Sequence, residues 1–139
     1  MTIIFEKIIP TKNQSEKLFS LLLNRKYSIS HKKFPSQKEH NEFVMNNPYI
    51  DWLLIYKDKN LLGSVYVQLD NSIGINLNEP NKDDVLEVIN YIKYNYLPSS
   101  QIKSMRSGDF FLNIASDNST MIQILNELNK KEIQRSFLI

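Results

Sequence analysis

WLLIYKDKNLLGSVYVQLDNSIGINLNEPNKDD, residues 52–84, decides the fold. It opens with a continuous apolar run, 52–56, of strand length. The polar Lys57-Asp58-Lys59-Asn60 turns the chain, and 62–69, with Gly63 and Tyr66 inside it, alternates well enough to be the antiparallel partner. Asp70-Asn71 makes a second tight turn before a third strand at 72–77, so the three strands form a meander. Gly74 inside the third strand predicts a bulge or a close backbone approach. A polar loop, 78–83, then opens a helix with Asp83 or Asp84 as its cap. Val85, Leu86, Val88, Ile89 and Ile92 give that helix a broad apolar face, Tyr91, Tyr94 and Tyr96 lie along it, and Pro98 closes it. The first N–H groups of a helix lack intrahelical partners and form an anion site, so this strand end and loop are where a phosphate-bearing cofactor, if the chain binds one, is expected.

On the N-terminal side, residues 3–9 alternate loosely, are rich in β-branched side chains and stop at Pro10, which predicts a first strand. Ser15 stands where a helix cap belongs, and Leu18, Phe19, Leu22 and Leu23 recur at helical spacing, predicting a helix over about 15–25. Residues 26–35 have no clear period, and Ser36-Gln37-Lys38-Glu39 then fits the capping-box pattern ahead of His40, Phe43 and Val44. Asn46-Asn47-Pro48 ends that second helix. On the C-terminal side come a polar excursion at 99–109, a strand at 110–115, a turn and cap at 116–119 and a helix at 121–128. Asn129 is suited to a left-handed stop, and 132–139 is expected to finish as a strand. The order β-α-α-β-β-β-α-β-α-β predicts an α/β (α+β) domain over 1–139, a mixed, mostly antiparallel sheet with helices on both faces.

With 139 residues, 42% hydrophobic and 23% charged, the chain has the composition of an ordered globular domain. A net charge of +2, with fourteen of the 17 basic residues being lysine, is too weak and too evenly spread for a nucleic-acid footprint. The pairs Lys32-Lys33 and Lys130-Lys131 read as solvated surface. No apolar run approaches the roughly 18 residues of a membrane span, and the first residues do not read as a signal peptide. The absence of cysteine excludes disulfides, a thiolate nucleophile and thiolate-bound metal, and is compatible with a cytoplasmic location. His31 and His40 are not spaced as a metal motif, so no metal is expected.

The meander feeding a loop and helix, followed by Phe111-Leu112-Asn113-Ile114-Ala115-Ser116-Asp117-Asn118, resembles the GNAT-type N-acetyltransferase superfamily over nearly the whole chain. The segment with Ile29-Ser30, Ser36, Glu39-His40, Phe43 and Trp52 is similar to members that acetylate amino groups on nucleotide-linked sugars. The resemblance implies acetyl-CoA as acyl donor and a small-molecule amine as acceptor, with direct attack of the amine on the thioester. Cofactor contacts are then expected from Ile75, Asn76, Leu77, Asn81, Lys82, Asp83 and Asp84, with Asn118 beside the pantetheine arm. Backbone N–H groups near Leu77 would polarise the carbonyl. Glu79, just past the third meander strand, and His40 are the candidate bases, and His31 lies toward the acceptor side on the same resemblance. A second copy of the chain is the expected protein partner.

Two departures from the family pattern bear on activity. The phosphate loop, Glu79-Pro80-Asn81-Lys82-Asp83-Asp84, has no glycine and carries carboxylates at both ends, which Lys82 offsets in part. The position that often holds a tyrosine proton donor is Leu125, and Asn129-Lys130 stands where the family usually shows Gly-Phe. A non-catalytic binding or assembly module of the same fold is therefore the alternative reading. Tyr66 faces either the core or the acceptor cleft, and one residue of register decides which.

Overall fold

The computed structural model describes residues 2–25 and 34–139. The elements are β1 (Ile3–Lys7), α1 (Lys12–Leu23), α2 (Gln37–Met45), β2 (Asp51–Lys57), β3 (Asn60–Val67), β4 (Ser72–Leu77), α3 (Lys82–Asn95), β5 (Phe111–Leu112) and α4 (Ser119–Glu127). The sheet runs β1-β2-β3-β4-β5, antiparallel throughout except for the parallel β4–β5 pair. The mixed, mostly antiparallel sheet with helices on both faces is thus the architecture that forms. Between β2 and β3, Asp58 and Lys59 both take positive φ, 51° and 69°, the hand a tight hairpin turn needs to match strand twist.

The apolar run of β2 is apolar throughout because both its faces are covered. Leu53 and Ile55, with Val65, Val67, Ile73 and Leu77, meet Val85, Val88 and Ile92 of α3 and Met121 and Ile124 of α4. Leu54, flanked by Trp52 and Tyr56, faces the other way and packs with Ile8 on Leu18 and Leu21 of α1 and Val44 of α2.

Several element ends differ from the sequence expectation. Helix α1 begins at Lys12, capped by Thr11, whose hydroxyl accepts from the Gln14 N–H at 3.2 Å. An early start brings Gln14 back onto β1, where it accepts from the Ile9 N–H and donates to the Lys7 carbonyl at 2.8 and 3.0 Å. Ser15, the expected cap, is instead buried and donates to Asn41 Oδ1 at 2.6 Å. The Ser36–Glu39 capping box of α2 forms as expected, Asn118 caps α4, and Asn129 has φ 58°. Asn81, rather than Asp83 or Asp84, caps α3. Strand β5 has two residues, not the six expected, and 132–139 forms no strand: Phe137 and Leu138 stand 79% and 93% exposed. An apolar pattern needs an edge to pair with, and two residues of β5 offer almost none.

Asn71, in the β3–β4 turn, is 1% exposed at φ 72°. Its Nδ2 donates to the carbonyls of Ser99 and Ser107 at 2.8 and 2.7 Å, its Oδ1 accepts from the Ser99 N–H at 2.7 Å, and its carbonyl receives the Phe111 N–H at 3.1 Å. One side chain thereby anchors the 99–109 excursion and sets the register of β5. Asn71→Ala is expected to cost roughly 2–4 kcal/mol in urea denaturation, the loss of several buried hydrogen bonds. Asn71→Gly, which tolerates the positive φ, should recover only a minor part of that loss.

Candidate functional site

The feature to build from is an opening in the sheet. Strands β4 and β5 pair only at Ser72↔Phe111 and Ile73↔Leu112, so from Gly74 onward the outer edge of β4 has no strand beside it among the described residues. The Gln68 N–H bonds the Ser72 carbonyl at 2.9 Å and the Asn78 N–H bonds the Leu62 carbonyl at 3.0 Å, which fixes the even-numbered residues as those turned to β3. By the alternation of an antiparallel ladder, the N–H and C=O groups of Ile75 and Leu77 face the opening. Asn76 is half-buried, on the α1/α2 face, beside the buried Ser64.

At the wide end lie the 78–81 loop and the start of α3. Asn81 Oδ1 accepts the Asp84 N–H at 2.9 Å, so the helix caps itself. Asp84 is 4% exposed and is not turned to solvent. Its carboxylate takes the Lys57 ammonium at 2.8 Å and the Asn81 Nδ2 at 2.8 Å, and the bond to Asp84 raises the Lys57 pKa. One of the two acidic residues in the first turn of α3 is therefore matched by a cation from β2, and the repulsion it would offer an anion is reduced. Glu79, Asn81, Lys82 and Asp83 are exposed. Pro80 has no N–H, which leaves those of Lys82 and Asp83, unpaired within the helix, and the Lys82 ammonium for an anion. An arm that pairs like a strand fits the β4 edge, and a phosphate at α3 would be held by fewer donors than an uncapped glycine loop supplies. Asn118 spends its side-chain oxygen on the Met121 N–H at 3.2 Å.

The closed end of the opening is aromatic. Register places Tyr66 opposite both Trp52 and Gly74, on the α1/α2 face of the sheet, which settles the facing that the sequence left open. A Cβ on Gly74 would fall into the Tyr66 ring, against Cζ and Cε1 and 2.5 Å from Oη, so the ring lies across β4 where only glycine admits it. Tyr49 stacks on Tyr66 at 4.0 Å and 3°, and Trp52 meets Tyr49 edge-on at 5.0 Å. Burial raises the pKa of the Tyr49 and Tyr66 hydroxyls, and the Arg25 guanidinium nearby works against that rise. Trp52 Nε1 and Ser72 Oγ on this face are buried without a hydrogen-bond partner among the described residues, an arrangement that costs stability and concentrates at functional sites.

The two candidate bases are not brought together. Glu79 stands at the wide end, five extended residues or roughly 16 Å along the chain from Gly74. His40 is 5% exposed between α1 and α2, its Nε2 3.1 Å from the Ser15 carbonyl oxygen and its ring on Phe19 at 5.1 Å. Nε2 therefore carries a proton and donates it to that carbonyl, which makes His40 a tie between two helices. His31, with Ile29, Ser30, Lys32 and Lys33, lies outside the described residues. Leu125 packs against the α3-side core. A concavity of about 580 Å³ runs along the exposed side of α4 past Ser116, Asp117 and Gln123, and no β4 residue lines it. Lys57 and Tyr49 were not singled out in the sequence, and Asn81 was singled out as a cofactor contact, not as the cap of α3. Only the facing positions of Tyr66 and Gly74 in a meander could have signalled the crossing.

No family model matches the sequence, and no curated protein does. Solved structures do. A possible acetyltransferase from Clostridium difficile 630 superposes with TM-score 0.61 at 12% identity, over 100% of this chain and 97% of that one. The ribosomal-protein-alanine N-acetyltransferase from Brucella melitensis biovar Abortus 2308 gives TM-score 0.61 at 9% identity, over 99% of each chain. AAC(6')-Iy, in complex with the bisubstrate analogue CoA-S-monomethyl-acetylneamine, gives 0.60 at 8% identity, over 100% of this chain and 97% of that one. The fold is that of the GNAT-type acetyltransferases, as the sequence resemblance implied.

Burial lowers the His40 pKa from 6.5, partly offset by the bond to Ser15. Below the unfolded value the unfolded chain takes up a proton that the folded one refuses, so this residue's contribution falls as pH drops from about 6.5 through the folded value. His40→Gln should flatten the stability profile between about pH 7 and 5 relative to wild type, read as urea midpoints.

Proposed function

We propose that the chain binds an acyl-CoA along the open edge of β4 and transfers its acetyl group to a small-molecule amine, an amino sugar being the acceptor class favoured by the sequence resemblance. The observation that carries this reading is the unpaired backbone of Ile75 and Leu77 between a helix amino end and an aromatic floor. Acetyl-CoA, when bound, supplies an acyl group activated as a thioester. Ile75 and Leu77 hold the arm through their free N–H and C=O groups, and their N–H groups polarise the carbonyl. Lys82 and the first N–H groups of α3 hold the phosphates. Gly74 would then stand at the acyl end of the arm and Glu79 at the far, wide end, so the amine would give up its proton to water.

A second reading, a non-catalytic module of the same fold, draws on the self-capped start of α3 and on Leu125 in place of a proton donor.

Binding is tested first. Acetyl-CoA at one hundred times its dissociation constant should stabilise the folded chain by about 2.7 kcal/mol, read by thermal shift and confirmed by calorimetry. The absence of any shift at millimolar cofactor sinks the enzyme reading. Binding without thiol release across a panel of primary amines that includes glucosamine favours the module. If an amine is turned over, Glu79→Gln is expected to change kcat by less than about threefold, since water takes the proton.

A further inference from the structure

We propose that the Tyr66 hydroxyl, held over Gly74 at the margin of β4, donates the proton to the departing thiolate in place of the missing donor on α4. This assignment rests on the acyl-CoA reading above. Three placements support it. The Tyr66 ring crosses β4 at Gly74, the first residue beyond the last β4–β5 pair, so its hydroxyl stands where the sheet opens. The ring is fixed there by Tyr49 at 4.0 Å and 3°, itself braced edge-on by Trp52 at 5.0 Å and Phe43 at 5.9 Å. Leu125, the alternative position, is partly buried against the core and has no proton to give.

The charged neighbours suit a proton donor. Burial raises the Tyr66 pKa, so the phenol keeps its proton at neutral pH, while a hydrogen bond from Gln68 and the charge of Arg25 favour the phenolate and Asp70 opposes it. Tyr49, with its own hydroxyl pushed up by burial, stays neutral beside it. The proton count closes. As the amine nitrogen bonds the acyl carbon, the carbon–sulfur bond breaks and its electron pair passes to sulfur. Tyr66 gives its proton to that sulfur, and the phenolate recovers one shed by the nitrogen by way of water.

The test needs no acceptor. The chain has no cysteine, so the thiol of bound CoA is the only thiol in the complex. Its ionisation can be followed by the pH dependence of alkylation by iodoacetamide. A hydroxyl that donates to the thiolate should place the midpoint for wild type about one pH unit below that for Tyr66→Phe. CoA affinity at pH 7, measured by calorimetry, should stay within about threefold in that variant, which keeps the stack on Tyr49. Gly74→Ala, which drives the ring off β4, should match Tyr66→Phe. Equal midpoints in wild type and Tyr66→Phe, with CoA bound, overturn the donor assignment while leaving the acyl-CoA reading intact. A wild-type midpoint in Gly74→Ala overturns the argument from placement. Failure of wild type to bind CoA removes the acyl-CoA reading, and the donor falls with it.

Discussion

The buried amide of Asn71 sets the geometry on which the site depends. Its side chain holds Ser99 and Ser107, and its carbonyl receives the Phe111 N–H, so the chain returning from α3 meets β4 at one register. Beyond Ile73 the two strands part. The opening is therefore a consequence of where the long excursion is tied down, and the tie is made by hydrogen bonds in a place with little water to replace them. A left-handed backbone at that residue lets the turn close beneath it, which asparagine tolerates better than most side chains.

Around the opening, two kinds of chemistry are separated. The wide end carries the charges, with Lys57 from a central strand answering Asp84 at the head of α3, and Asn81 completing the arrangement. Such a half-buried pair is screened by salt far less than the exposed Arg135–Glu132 pair on the tail. The closed end is built from rings, with one glycine making room for them. Backbone groups link the two ends.

Much of the fold was legible. Turn residues punctuated the meander, and the Ser36–Glu39 box announced its helix through side chains that can do little else at that spacing. What stayed hidden has physical causes. Three side chains able to accept a backbone N–H, those of Asn81, Asp83 and Asp84, compete to cap α3, and the choice depends on Lys57 reaching Asp84 from another strand. Thr11 won over Ser15 because Gln14 had a tie to make on β1. The tail at 132–139 has the pattern of a strand but finds no edge. His40 sat at helical spacing with Phe43 and Val44, a pattern equally fitted to a buried helix contact, and the contact is what formed. Tyr66 was noticed, but its crossing over Gly74 depended on register, which the sequence could not supply.

The length of the opening sets what can enter it. From Gly74 to Leu77 the free edge spans three steps of extended chain, about 10 Å, and it ends against the α3 loop at one side and the β5 pairing at the other. An invading strand from another protein would gain only the two outward-facing residues, too little to template sheet growth. A narrow amide-bearing arm would find the same two residues sufficient. The gap thus admits a slender ligand while denying the sheet a sticky border.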